Sequence, residues 1–213
     1  MSPDFAELLA RYADSPESSD RKRIECELWD RFGAERAVFV LDMSGFSRLV
    51  ERYGIVHYLS MIRRMQSTVR PIVRDFGGTV VKFEADNGFA TFPDCTRAVR
   101  AATALTRALE AANASWPEEQ WVRVSCGIDY GPILVVAERD FFGNAVNRAS
   151  KLGEDIARAG EVLITEEVRA RVADASGLIF VPESHSISQI EIRAYRVEAV
   201  REEFSSSRSA KRP

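Results

Sequence analysis

Residues 37–42 read AVFVLD, five apolar residues in succession closed by a carboxylate. A run this short with no polar alternation predicts a strand buried on both faces. MSGFS (43–47) follows at once and opens a helical pattern. Ile55, Tyr58, Leu59, Ile62, Met65, Val69, Ile72, Val73 and Phe76 recur at three and four, so a long amphipathic helix runs to Gly77-Gly78. This stripe reads first as core, and could add to an interface. TVVKF and GFATF come next, separated by EADN, with Asn87-Gly88 as the hairpin-turn signal. Residues 94–112, rich in Ala and Leu, predict a helix. WVRVSCGIDYGPILVVAE predicts two strands meeting at Tyr130-Gly131-Pro132, and FFGNAVNRASKLGEDIA a loop entering a helix. EVLIT predicts a strand, TEEVRARVA a helix capped by Thr165, and HSISQIEIRAYRVEAV a terminal hairpin or strand pair. The fold class is α+β, a mixed sheet flanked by helices.

The ends read differently. Phe5, Leu8 and Leu9, then Ile24, Leu28 and Trp29, mark two helices in residues 1–33, an N-terminal helical extension. Residues 34–200 form the main domain, and FSSSRSAKRP lies in a tail, 201–213, expected to be disordered. With 29 basic against 32 acidic side chains, the net charge of −3 argues against a broad nucleic-acid surface. No apolar run approaches the ~20 residues that span a bilayer, and the N-terminus lacks a signal-peptide pattern. Cys26, Cys95 and Cys126 form neither a zinc spacing nor a disulfide framework. A cytoplasmic protein without membrane or nucleic-acid partners is expected. His57 and His185 have no partner at metal spacing and read as structural or solvated.

Two carboxylates carry the chemistry. Asp42 ends a buried strand just before a helix N-terminus, where free N–H groups can hold phosphate. Taken alone it could equally cap the helix. Asp86 falls at a hairpin tip, where Asp is ordinary. As a pair on neighbouring strands, however, they suit a two-metal site that clamps the attacking and leaving oxygens of a phosphoryl transfer.

Four segments, in order, resemble the catalytic domain of class III nucleotidyl cyclases. They are FVLDMSGFS, GGTVVKFEADNGFATF, VRVSCGIDYGPILVV and DFFGNAVNRASKL, with GEVLIT similar to the strand that follows. The resemblance covers roughly residues 36–198. It implies a ferredoxin-like βαββαβ palm-type sheet. It implies two divalent ions, Mg²⁺ or Mn²⁺, held by Asp42 and Asp86 with the Met43 carbonyl. It implies that Ser44, Gly45, Phe46 and Ser47 wrap a triphosphate, that Lys82 and Asp140 read the base, and that Asn147 orients the ribose. Lys151 falls where the family usually has an arginine that stabilises the transition state. The reaction implied is attack of the ribose 3′-hydroxyl on its own α-phosphate with loss of pyrophosphate. A homodimer with two shared sites is implied too, since one chain carries both half-sites.

Departures from the pattern matter. Lysine at 151 keeps the charge and loses the guanidinium fork. Glu84-Ala85 replaces an apolar residue and a glycine, and Glu84 shares a strand face with Lys82 and Asp86. Solvent is the default place for Glu84, with Lys82 or a metal as the alternatives. The last strand lacks a phosphate-contacting lysine, leaving Arg193 or Arg196 as substitutes. A donor at Lys82 beside an acceptor at Asp140 suits adenine, and cytosine shares that arrangement. ATP or CTP is therefore favoured over GTP or UTP, with ATP taken first and pocket size deciding between the two. A pyrimidine nucleotide cyclase producing cCMP or cUMP for antiviral signalling is an alternative, as is a catalytically weak nucleotide-binding domain. Phe83, Phe141 and Phe142 could wall the pocket but read first as core.

Overall fold

The computed structural model describes residues 2–137, 139–187 and 190–199. The tail expected to be disordered, 201–213, lies outside the described residues. An eight-stranded sheet runs in the order β2-β3-β1-β4-β6-β8-β7, with β5 paired to β4. Its strands are β1 (Gly33–Met43), β2 (Thr79–Glu84), β3 (Asn87–Phe92), β4 (Val124–Val136), β5 (Asp140–Phe142), β6 (Val162–Thr165), β7 (Leu178–Ile187) and β8 (Ile190–Ala199). Every pairing is antiparallel except β4 with β6. The βαββαβ order predicted from the sequence is present in β1 to β4.

Strand β1 is buried on both faces, as its apolar run requires. Phe39, Leu41 and Met43 face a core shared with α4 (Ile55–Asp75) and α5 (Cys95–Asn113). Val38 and Val40 face the opposite core, under α6 (Asn144–Ser150). Two-residue alternation therefore sends the Asp42 side chain to the α6 side and leaves Met43 against α4. The long helix expected over the Ile55–Phe76 stripe is α4, and a separate short helix, α3 (Phe46–Tyr53), precedes it. Gly54 breaks them apart at φ +83°, a left-handed value that favours glycine. The apolar stripe is core at Tyr58 and from Ile62 onward, whereas Ile55 and Leu59 near its start are about half exposed.

Three other expectations are corrected. The Tyr130-Gly131-Pro132 turn does not exist, because β4 runs straight through it and pairs with β1 from Val124 to Leu134. On its other side β4 pairs with β6 at 126–128 and with β5 at 134–136, so Pro132 sits in the gap between those partners. The β2–β3 turn is centred on Ala85-Asp86 rather than Asn87-Gly88, for Glu84 pairs with Asn87. Gly88 instead permits close packing, since a Cβ there would meet Phe83 and Leu41 at 2.9–3.1 Å. Finally, the segment expected as a loop before α6 holds β5, and β7 begins at Leu178, ahead of the expected hairpin.

The N-terminal helices α1 (Pro3–Asp14) and α2 (Ser18–Phe32) pack as a pair. Phe5, Leu8, Ile24 and Leu28 cover Val136 at the far end of β4, and the Phe5 ring stacks on Phe142. Among the described residues no helix is long and apolar enough to cross a membrane.

Candidate active site

Asp42 is the penultimate residue of β1, and Asp86 is the second residue of the β2–β3 turn. The two side chains lie close enough to repel. Burial, with Asp86 and then Glu154 adding negative charge, pushes the Asp42 carboxyl up to about 6, against a bond from the Met43 N–H. One hydroxyl, that of fully buried Tyr58, donates to Asp86 Oδ2 at 2.9 Å and lies 3.3 Å from the Met43 carbonyl. Two carboxylates and a carbonyl are hard oxygen donors, the set that Mg²⁺ and Mn²⁺ take. Among the described residues, no three or more His, Cys, Asp or Glu gather as a closed metal cage. The residues fit cations completed by a substrate's own oxygens.

The turn after Met43 is tight. Ser44 N–H donates to the Arg123 carbonyl, Gly45 takes φ +97° as the N-cap of α3, and Phe46 and Ser47 enter the helix. The Phe46 ring sets its edge against Tyr58. Ser44 and Gly45 border a cavity of about 610 Å³ that Arg48, Arg52 and Arg123 line together with Glu118 and Glu119, with Arg123 paired to Glu118.

Lys82 and Asp140 meet across β2 and β5, Nζ to Oδ1 at 3.0 Å. Glu84 joins Lys82 at 3.1 Å, which corrects the expectation that it points only to solvent, although its side chain stays 63% exposed. Partial desolvation pulls the Lys82 ammonium down, but its two carboxylate partners outweigh this and hold it above the ordinary range. The aromatic candidates divide. Phe141 is core, Phe142 is occupied by Phe5, and Phe83 is half-buried beneath Arg70.

Asn147 and Lys151 line a separate cavity of about 930 Å³ with Arg148 and Arg193. Asp42, Asp86, Lys82 and Asp140 are not among its walls. Of the two candidate arginines only Arg193 reaches it, since Arg196 is bound to Glu183 and Glu198. Lys151 opens a π-helical segment, Lys151–Ile156, that lies flat on the sheet. Gly127 and Gly153 make this possible. A Cβ on Gly127 would meet the Ala149 carbonyl at 2.1 Å and the Gly153 nitrogen at 2.4 Å.

Sequence reasoning passed over three residues here. Tyr58 read as one more apolar position in the α4 stripe. Glu154 carried no motif, yet the π segment brings it near Asp42 and Asp86, and burial followed by its acidic neighbours raises its carboxyl. Asp129, fully buried, accepts from Thr165 Oγ1 at 2.6 Å and from Arg148 Nε at 2.5 Å, anchoring Arg148 in the cavity. A charged residue inside the apolar run VSCGIDYG was the available signal.

This fold is that of the class III nucleotidyl cyclase catalytic domain. The adenylyl cyclase CyaB from P. aeruginosa superposes with a TM-score of 0.68 at 22% identity, over 80% of this chain and 97% of that one. The guanylyl cyclase Cya2 gives 0.69 at 17% identity, over 81% and 96%. The adenylate/guanylate cyclase/hydrolase from Silicibacter pomeroyi gives 0.63 at 26% identity, over 80% and 98%. By sequence the chain is 31% identical over 156 residues to the Rhizobium meliloti (strain 1021) protein named Putative adenylate cyclase 3. That match takes in 73% of this chain and only 26% of the relative's length. No family model matches the chain.

Proposed function

We propose that residues 34–200 form a nucleotidyl cyclase domain, preceded by a helical extension, that converts a nucleoside triphosphate to its 3′,5′-cyclic nucleotide and pyrophosphate. One observation carries the reading. Asp42 and Asp86 come together at the end of β1, one beside the turn that opens α3, and among the described residues no cation is paired to either. Divalent ions bound there would supply charge neutralisation and a more acidic 3′-hydroxyl. The chain's residues do the rest. Asp42, Asp86 and the Met43 carbonyl hold the cations, and the Ser44–Ser47 turn with its arginines receives the triphosphate. Lys82 donates to the base and Asp140 accepts from it. Asn147 orients the ribose, while Lys151 offers positive charge to the reacting phosphate.

Adenine suits the Lys82–Asp140 pair, and ATP is the favoured substrate, with CTP the competitor on the same hydrogen-bond pattern. The division of the residues among separate clusters supports a homodimer in which each nucleotide is held by two chains. The cyclic product serves as a signal.

The test is product formation from ATP, CTP, GTP and UTP, each with Mn²⁺ or Mg²⁺, read by chromatography and mass. A cyclic product from ATP, lost in Asp42→Ala, is expected. A product from another triphosphate alone would correct the base, and none from folded protein would sink the reading. Mixing inactive Asp42→Ala with inactive Asn147→Ala should restore roughly a quarter of wild-type activity, because half the dimers are mixed and each has one intact site. No recovery would reject shared sites.

A further inference from the structure

Tyr58 lies four residues into α4, on its buried side. A tyrosine at zero exposure normally satisfies its hydroxyl with one core partner. This hydroxyl instead reaches out of the core to the two chain segments that converge on the cation site. It donates to Asp86 Oδ2 in the β2–β3 turn and lies within hydrogen-bond distance of the Met43 carbonyl at the end of β1. β1 and β2 are not neighbours, since β3 lies between them. Backbone pairing holds β3 to β1 as far as Leu41–Gly88 and closes the hairpin at Glu84–Asn87, but it does not orient the Asp86 carboxylate toward the end of β1. The ring that carries the hydroxyl is itself clamped. Phe46 packs edge-on at 4.9 Å, and Met61, Met65 and Leu41 belong to the same core.

We infer that Tyr58 is a positioning residue, which sets the Asp86 carboxylate and the Met43 carbonyl in register for a divalent cation before one arrives. The inference rests on the metal-dependent reading above. The hydroxyl engages only Oδ2, so Oδ1 remains available to a cation. Its ring spans from the α4 core to a surface turn that has one left-handed residue, Ala85 at φ +50°. Without the hydroxyl, that turn loses its only side-chain tether to the end of β1 among the bonds described, and Asp86 is free to rotate away from the repulsion of Asp42 and Glu154.

The experiment uses Tyr58→Phe, which keeps the ring and deletes the oxygen. Mn²⁺ alone is titrated into the full chain and the free ion is followed by electron paramagnetic resonance, with no nucleotide present. Asp86→Ala serves as the reference. The dissociation constant for Mn²⁺ should rise about tenfold in Tyr58→Phe, in line with the loss of a group that orients a ligand. In turnover, the Mn²⁺ concentration for half-maximal rate should rise in parallel, while the rate at saturating Mn²⁺ stays within about threefold of wild type, since the hydroxyl orients and does not react. A merely structural tyrosine would lower the melting temperature and leave the Mn²⁺ constant unchanged, and that result overturns the inference. Tighter Mn²⁺ binding in Tyr58→Phe overturns it as well, because the hydroxyl would then be a competitor for Asp86. If wild type binds Mn²⁺, Asp86→Ala does not, and Tyr58→Phe matches wild type, positioning alone fails. If wild type and Asp86→Ala bind Mn²⁺ alike, the metal-site reading fails with it.

Discussion

Two acidic groups in this molecule are treated in opposite ways. Asp140 meets Lys82 at 3.0 Å on a partly exposed strand edge, where the same ammonium also serves Glu84, so it has a cation within the chain. Asp42 is half-buried, faces Asp86 and Glu154, and among the described residues has no cation paired to it. The Lys82–Asp140 pair forms without a ligand and offers a donor beside an acceptor, a pattern for reading hydrogen bonds. The Asp42–Asp86 pair holds like charges that a proton on Asp42 or an outside cation relieves. On the proposed function, base recognition and cation binding would call for these different electrostatics, both within a few strands of one sheet.

That contrast can be broken by mutation. Asp86→Ala should cut product formation by roughly 10³-fold or more, as expected when charge stabilisation of a phosphoryl transfer is lost. Steady-state rates at saturating Mn²⁺ check this, and a loss below tenfold would remove Asp86 from the site. Lys82→Ala should act more weakly, lowering kcat/KM for the preferred nucleotide by about 10²-fold through a lost charged hydrogen bond. Its Mn²⁺ affinity should match wild type, and a parallel loss of Mn²⁺ binding would mean that the two regions are not separate. Lys151→Arg should raise kcat by up to about tenfold, since a guanidinium meets phosphate oxygens in two bonds at once. An unchanged kcat would make Lys151 a solvated lysine.

The smallest effect is on stability. The folded state holds the Asp42 proton up to about pH 6, above the ordinary carboxylate value of 3.8. Between those values the folded chain binds more protons than the unfolded one, so metal-free stability falls as pH rises through the window. Asp42→Asn removes this penalty. It should raise the melting temperature of metal-free protein by roughly 2–4 °C at pH 7.5, equivalent to about 1 kcal/mol in a chain this size, and the gain should vanish near pH 4. Calorimetry at the two pH values, with a chelator present, decides the sign.

Legibility in the sequence followed local chemistry. AVFVLD could be read as a strand because burial on both faces leaves no polar position until Asp42. The turn around Asp86 was found but misplaced, because Asn87-Gly88 carries the usual hairpin signal while Gly88 is needed for packing against Leu41. The Gly131-Pro132 pair imitates a turn, and only the change of partner strand beside β4 shows why it lies within a strand. Tyr58, Glu154 and Asp129 were invisible for another reason. Their roles depend on partners far away in the chain, and no local period records such contacts. Lys82 and Asp140 were identified by resemblance alone, since nothing in their immediate neighbours marks them as a pair.

The uninterrupted pairing of β1 with β4 also governs how the chain is made. Gly33 finds Leu134 and Met43 finds Val124, so the centre of the sheet joins an early segment to one synthesised much later. Such long closures slow folding. Until Val136 has been translated, β1 presents an open apolar edge with β3 on one side only. A nascent chain stalled before that point, or a fragment ending after α5, would expose the AVFVL run to other copies and favour aggregates over monomers. Asp42 at the end of that run is the first residue of the site to be made, and it gains its backbone neighbour Ser125 only when this second half arrives.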